Sequence, residues 1–213
     1  LLAASSPTGP AFEGAQISSG QRAAPGAVER VRIDPKTLEP RFRVIGSECW
    51  SDDVSFAEET KNTGVTGICG SGIIEAIAEL YLCGIISQDG LFDESMMGRS
   101  NRIIKEGRTC SYVLHKGEPE LRITQNDIRA IQLAKAALYA GIRLLMDHLG
   151  IEEVQRIRLA GAFGSHIDVK YAMILGLIPD CDLDHVSSAG NAAGTGAVSY
   201  THLTLPTNGL GGG

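Results

Sequence analysis

The 213-residue sequence has no long hydrophobic run and no cluster of basic residues. No apolar stretch approaches the ~20 residues that a transmembrane helix needs, so we expect no membrane partner. The net charge of −6 at pH 7 argues against a nucleic-acid partner. The first residues, LLAASS, have neither a basic lead nor a long apolar core and make a poor signal peptide. Hydrophobic residues make up 43% of the chain, which is enough for a globular core.

Paired cysteines are also lacking. No C-x-x-C pair occurs, the number of cysteines is odd, and the histidines do not approach them at metal-ligand spacing. Reduced thiols are the simplest account, which favours a cytoplasmic protein. We therefore predict no metal ligands and no zinc or iron–sulfur site among the five cysteines, which are Cys49, Cys69, Cys83, Cys110 and Cys181.

Glycine is plentiful, with 26 residues, and one glycine-rich run covers residues 159–168. The run follows a β-like segment at residues 154–159. A strand that opens into glycines at its carboxyl end is where α/β sheets bind nucleotides. The alternative is a tight strand-to-helix turn with no ligand. The candidate nucleotide-binding residues of this run are Gly161, Ala162, Phe163 and Gly164.

A second run of small residues covers residues 189–197. Three glycines at this density suit a helix packed closely against another backbone, or a hinge. A flexible linker is the alternative. The candidate ligand-binding residues here are Gly190, Asn191 and Gly194.

A third glycine-rich stretch, residues 64–72, leads into a helix that the apolar spacing predicts over residues 71–83. The N–H groups and the positive dipole end at Gly70, Ser71 and Gly72 could hold a phosphate. The spacing matches neither a Walker P-loop nor G-x-G-x-x-G. Tight packing of the helix start is the competing interpretation.

The other elements follow from local patterns. Alternating residues at 28–33 and 41–45 predict a hairpin, and further short strands are predicted at 102–104 and 112–114. A helix over 124–148 begins with a capping box at 124–127. A short helix over 168–175 is capped by Asp168. The long helix is expected to bury one face, formed by Ile128, Ile131, Leu138, Ile142, Leu145 and Leu149.

Lys135 lies on the same stripe of the long helix, where a core position would take an aliphatic residue. Its stem can pack against the core while its charge reaches a cleft. Simple snorkelling to solvent explains the position equally.

Three stretches resemble the reductive activators of corrinoid proteins: GPAFEG at 9–14, GICGSG at 67–72, and the two glycine-rich runs taken together. The similarity covers roughly residues 1–197. It implies an α/β fold of the actin/Hsp70/sugar-kinase-like (ASKHA, ribonuclease H-like) ATPase type, in which two lobes close on ATP. It also implies that Lys135 contacts the base or ribose, and that Gly9, Pro10 and Glu13 lie on the phosphate side.

The resemblance further implies an ATP-dependent activator that returns a Co(II) corrinoid to Co(I). Its partner would be a corrinoid protein or a corrinoid-dependent methyltransferase, and it could form a homodimer. Mg²⁺ would bind together with a second lobe, and an iron–sulfur cluster would lie upstream. Two alternatives stay open, a small-molecule kinase of the same superfamily and a non-catalytic module for nucleotide sensing or partner docking.

The superfamily's acidic D-x-G-T phosphate loop does not occur in this sequence. We therefore expect residues 1–197 to be part of a C-terminal lobe that is inactive alone, and we assign no catalytic residue. Residues 198–213 have no helical periodicity and resemble a translated transposase adapter. We expect them to be a non-native tail.

Overall fold

The computed structural model describes residues 2–161, 164, 166–190 and 192. Within them lie four α-helices and eight β-strands. The helices are α1 (Phe56–Glu59), α2 (Gly70–Leu82), α3 (Gln125–Leu149) and α4 (Val169–Ile174). The strands are β1 (Ala27–Ile33), β2 (Pro40–Val44), β3 (Gly67–Ile68), β4 (Ile103–Glu106), β5 (Thr109–His115), β6 (Leu121–Thr124), β7 (Ile157–Ala160) and β8 (Val186–Gly190).

The predicted hairpin is confirmed. Strands β1 and β2 pair antiparallel, and β3 adds to the other edge of β1 in parallel, at Ala27 and Val28 only. The remainder of that edge of β1 is covered by side chains of α2. Helix α2 is almost entirely buried from Gly70 to Leu80, so it forms the centre of the N-terminal core.

A second sheet, in which all strands pair antiparallel, has the order β4-β5-β6. The predicted strands at 102–104 and 112–114 are present as the longer β4 and β5. Sequence analysis missed β6, which pairs with β5 from Ser111 to His115. Strand β6 ends at Thr124, the residue that caps α3, so sheet and helix are joined without a loop.

The capping box of α3 is confirmed. The Thr124 hydroxyl accepts the N–H of Asp127 at 3.3 Å, and the Asp127 carboxylate accepts the N–H of Thr124 at 2.8 Å. The same carboxylate accepts the N–H of Ser18 at 2.7 Å, which fixes the N-terminal segment to the helix start.

The predicted buried face of α3 is only half correct. Ile128 and Ile131 are buried, but Leu149 is 58% exposed, and Leu138, Ile142 and Leu145 are half-buried. The reason is that the second half of α3 borders a cavity in place of the core, and Ile142 contributes to the wall of that cavity.

The last described strands, β7 and β8, form a parallel pair in register from Ile157 and Val186. Sequence analysis predicted β7 and the helix α4, but it missed β8. The first two residues of the second glycine-rich run, 189 and 190, are the last two residues of β8, so this run begins inside a strand. A cluster of buried residues ties this unit to α2, and it contains Ile74, Ala78, Tyr171, Ala172, Leu177 and Ile178.

Within the described residues, no helix has both the length and the apolar composition needed to cross a lipid bilayer.

Candidate functional site

The start of α2 carries unsatisfied backbone donors. Cys69 occupies the N-cap position without a side-chain cap, and the first helical hydrogen bond runs from Ile73 to the Cys69 carbonyl. The N–H groups of Gly70, Ser71 and Gly72 have no acceptor among the described residues. Open N–H groups at the start of this 13-residue helix present a partial positive charge to the space in front of the helix.

The two interpretations of this glycine-rich turn apply to different residues. A Cβ on Gly72 would lie 2.2 Å from the Val28 carbonyl oxygen, so Gly72 serves close packing of α2 against β1. Gly70 and Ser71, by contrast, line a cavity of about 620 Å³. The structure therefore leaves Gly70 and Ser71 in reach of a ligand.

This cavity, the α2 cavity, is lined by residues from six segments of the chain. Its walls include Phe12, Glu13, Arg22, Gly70, Ser71 and His166. Its volume suits a drug-sized or nucleotide-sized ligand. The α2 cavity thus brings the predicted residues Glu13, Gly70 and Ser71 together with the loop that follows β7.

Arg22 is the cation of the α2 cavity, and sequence analysis missed it. Its side chain is exposed and makes no ion pair with the described residues. A single arginine in a polar segment forms no sequence pattern. Only the folded structure, which places Arg22 at the same cavity as the start of α2, distinguishes it from other exposed arginines.

Gly9 and Pro10 do not line the α2 cavity. They form the turn before the short 3₁₀ helix Ala11–Glu13, and the Pro10 carbonyl accepts the N–H of Glu13 at 3.1 Å. Their contribution is to hold Glu13 at the cavity wall.

The two predicted glycine-rich runs meet at the carboxyl ends of β7 and β8. The Gly161 N–H donates to the Gly190 carbonyl at 2.7 Å. Gly161 has a φ of +96°, a conformation that strains any residue with a side chain. A Cβ on Gly164 would lie 3.1 Å from the Leu159 Cβ, so Gly164 is packed against the strand. Ala162, Phe163, Asn191 and Gly194 lie outside the described residues.

Lys135 lies elsewhere. It lines a cavity of about 600 Å³, the α3 cavity, formed by α2, α3, Val154 and the segment that follows α4. Val154 precedes β7, so the α3 cavity lies at the amino end of that strand, whereas Gly161 lies at its carboxyl end. The structure does not bring Lys135 together with the other predicted residues.

A buried ionic cluster lies on α2 about one turn after the residues that line the α2 cavity. The Glu75 side chain is 0% exposed and accepts from Arg30 at 2.8 Å and Arg32 at 2.5 Å. One turn later, Glu79 accepts the Ile33 N–H at 3.0 Å and the Tyr171 hydroxyl. Burial, together with this hydrogen bond to Glu79, raises the pKa of Tyr171, so the phenol stays protonated as a donor.

The described residues contain no group of three or more acidic, histidine or cysteine side chains arranged to hold a metal ion. All five cysteines are free.

A family model described as the C-terminal domain of RACo, the ASKHA domain, matches residues 1–204. A similar curated protein is the "Corrinoid activation enzyme RamQ" of Eubacterium limosum, 38% identical over 209 residues. The match covers 92% of this chain and 32% of that protein. Another is the "[Co(II) methylated amine-specific corrinoid protein] reductase" of Methanosarcina barkeri, 29% identical over 188 residues. It covers 84% of this chain and 31% of that protein.

Among solved structures, a "Reductive activator for corrinoid,iron-sulfur protein" superposes with a TM-score of 0.73 at 33% identity. That match covers 90% of this chain and 29% of the solved one. The chain spans about a third of the length of the curated relatives that it matches. These findings confirm the predicted ASKHA fold, and the chain belongs to the family of RACo C-terminal ASKHA domains.

Proposed function

We propose that this chain is the ATP-binding part of an ATP-dependent activator that returns Co(II) corrinoid proteins to Co(I). The observation that carries the proposal is the start of α2, where Gly70 and Ser71, whose N–H groups have no acceptor among the described residues, line the α2 cavity. Open N–H groups at the positive end of a helix favour phosphate oxygens. The family of the chain is an ATPase-type domain, which supports the choice of a nucleotide as the ligand.

The charges around the α2 cavity fit a triphosphate bound with Mg²⁺. Arg22 supplies a cation for a terminal phosphate, and Glu13 and Glu29 supply carboxylates at the wall. Magnesium keeps several waters and is held in proteins by one or two carboxylates together with substrate phosphates. The residues present therefore suit Mg²⁺ delivered with ATP and do not form a metal site of their own. When bound, Mg²⁺ would neutralise phosphate charge beside Glu13.

The adenosine would lie against the carboxyl ends of β7 and β8. The hydrogen bond between Gly161 and Gly190 leaves a backbone surface without side chains, which admits a flat ring. We include Ala162, Phe163, Gly164, Asn191 and Gly194 in this part of the proposal because they share the same two runs.

Activation itself is proposed for a longer protein, since the relatives named for corrinoid activation and Co(II) reduction are about three times longer. In that protein residues 1–197 would form one lobe, and closure on ATP would shift the affinity for the corrinoid partner. The electron would come from an iron–sulfur domain outside this chain. The chain alone is then expected to bind ATP without hydrolysing it, because phosphoryl transfer requires charge and positioning from both lobes.

The test is calorimetric titration of the 213-residue chain with ATP and Mg²⁺, comparing Gly161→Val with Gly107→Val. Both glycines have positive φ, of +96° and +63°, and a Cβ on either would meet nothing within 4 Å. Each variant places a valine at a positive φ without a steric clash, but only Gly161 lies at the proposed adenosine surface. We expect the affinity of Gly161→Val to fall at least about tenfold, equivalent to ~1.4 kcal/mol, and Gly107→Val to bind as the unmodified chain does.

Two results would count against the proposal. One is an unmodified, folded chain that shows no heat of ATP binding. The other is equal affinity for Gly161→Val and Gly107→Val, which would remove the adenosine assignment.

A further inference from the structure

Arg30 joins two parts of the molecule that are 136 residues apart in sequence. Its Nη1 atom donates to the Glu75 carboxylate at 2.8 Å and to the backbone carbonyl of His166 at 3.1 Å. His166 has helical backbone and lies in the connection between β7 and α4, which we call the loop. It also lines the α2 cavity. One guanidinium therefore connects the centre of α2 with the segment that the proposed nucleotide would touch.

Glu75 holds this guanidinium in place. Besides Arg30, its carboxylate accepts the Val31 N–H at 2.9 Å and Arg32 at 2.5 Å. A fully buried carboxylate is stable only when its oxygens are saturated in this way. Because Val31 belongs to the edge of β1 beyond the short β3, the carboxylate also takes the place of a strand partner. The backbone of Arg30 is thus fixed in strand β1, and its guanidinium is fixed by the fully buried carboxylate of Glu75.

A second connection runs parallel to the first. The Tyr171 hydroxyl donates to Glu79, and the Arg32 guanidinium lies 4.7 Å from the centre of the Tyr171 ring. Tyr171 lies in α4, directly after the loop. The α4 end of the loop is therefore tied to α2 independently of Arg30, so a loss of Arg30 would release the loop without detaching α4.

We infer that Arg30 is a positioning residue, which fixes the loop at His166 for nucleotide binding. This inference rests on the proposed nucleotide site. Arg30 does not line the α2 cavity, so it acts through the His166 carbonyl and not by touching the ligand. The Nη1 atom donates one hydrogen bond to Glu75 and one to the His166 carbonyl, so the buried carboxylate fixes the donor that holds this carbonyl.

The consequence is a population effect. When only a fraction of molecules has the binding geometry, the measured dissociation constant rises by the inverse of that fraction. A loop that spends about a fifth of its time in the binding geometry binds about fivefold more weakly. Removal of Arg30 should therefore change both the protection of the loop and the affinity for ATP.

The experiment compares Arg30→Gln with Arg102→Gln in the 213-residue chain. Arg102 has the same chemistry in another place, because it pairs with Glu39 at 2.7 Å and donates to the Val113 and Leu114 carbonyls. Two readouts are taken: hydrogen exchange of the peptide covering residues 161–171 without nucleotide, and the dissociation constant for ATP with Mg²⁺. We expect Arg30→Gln to speed exchange in this peptide and to weaken ATP binding about fivefold, with Arg102→Gln changing neither.

The inference would be overturned if Arg30→Gln left the exchange rate of this peptide unchanged. It would also be overturned if Arg102→Gln raised the exchange rate of the peptide by the same amount. If Arg30→Gln does not fold, Arg30→Lys replaces it. Lysine keeps the charge near Glu75, but its ammonium lies one bond closer to the backbone than Nη1 and does not reach both acceptors. Faster exchange is therefore again expected, and unchanged exchange overturns the inference. Faster exchange with undiminished ATP affinity overturns it as well. If the unmodified chain binds no ATP, the proposed function fails, and loop exchange alone then decides whether Arg30 positions the loop.

Discussion

Arg22 and the first residues of α2 line the same cavity. The helix start offers N–H groups fixed by the backbone, whereas Arg22 offers an exposed charge with no ion-pair partner among the described residues. Fixed donors bind the phosphate oxygens directionally, and a guanidinium adds a planar fork of donors that matches phosphate. Arg22 is thus the side chain whose removal should affect the ligand without affecting the fold.

We predict that Arg22→Gln weakens ATP binding roughly three- to tenfold and leaves the unfolding transition unchanged. The matched control is Arg108→Gln, which removes an equally exposed charge from the turn between β4 and β5. Titrations at low and high salt separate the two effects, because a phosphate contact makes binding more salt-dependent. Equal weakening in both variants would mean that only net charge matters.

Sequence reasoning at this scale pointed to backbone features and not to isolated side chains. Gly70 and Ser71 were predicted because they begin a helix that follows a glycine-rich stretch. Arg22, Arg30 and Glu75 were not, because their roles depend on contacts between segments far apart in the chain. The close approach of Gly72 to the Val28 carbonyl likewise depends on tertiary packing, so sequence alone could not separate Gly72 from its neighbours.

At the scale of elements, the start of α3 connects three parts of the chain. Thr124 is the last residue of β6 and the N-cap of α3. The Asp127 carboxylate accepts hydrogen bonds from both Thr124 and Ser18. Asp127 is 1% exposed, so its oxygens depend on these donors. The cap therefore fixes the N-terminal segment that leads to Glu13 and Arg22.

We predict that Thr124→Ala lowers the free energy of unfolding by ~1 kcal/mol, the usual value of an N-cap hydroxyl. Thr63→Ala, at an exposed turn residue, should change it by less than about 0.5 kcal/mol. Urea denaturation followed by circular dichroism measures both. Equal stability of Thr124→Ala and Thr63→Ala would show that the capping box does not stabilise the fold.

The elements predicted from sequence are those with local patterns. The hairpin, α2, α3 and α4 all have alternation, caps or apolar stripes within one segment. The missed strands β3, β6 and β8 are short. Strand β3 has two residues, and β8 consists mainly of serine, alanine and glycine. The second half of α3 was overpredicted as core because an apolar stripe does not reveal whether it faces a core or a cavity.

On the scale of the whole molecule, α2 connects the α2 cavity, the buried ionic cluster and the β7–β8 unit. Its start borders the α2 cavity, its middle carries Glu75 and Glu79, and its buried face contacts α4 through the cluster around Ile74. A change at the nucleotide would therefore reach the hairpin and the β7–β8 unit through one rigid helix. This arrangement suits a domain whose ligand shifts its orientation relative to a partner.

The most direct test of the account uses a chimera, in which this chain replaces the matching segment of the Eubacterium limosum relative. The measurement is the ATP-dependent appearance of Co(I) from a Co(II) corrinoid protein, followed by visible absorbance under a fixed supply of electrons. We predict that the chimera restores ATP-dependent reduction and that the chimera carrying Gly161→Val loses it. A folded chimera that binds ATP without supporting reduction would contradict the account and favour a nucleotide-sensing module, and ATP-dependent phosphorylation of a small molecule would favour a kinase.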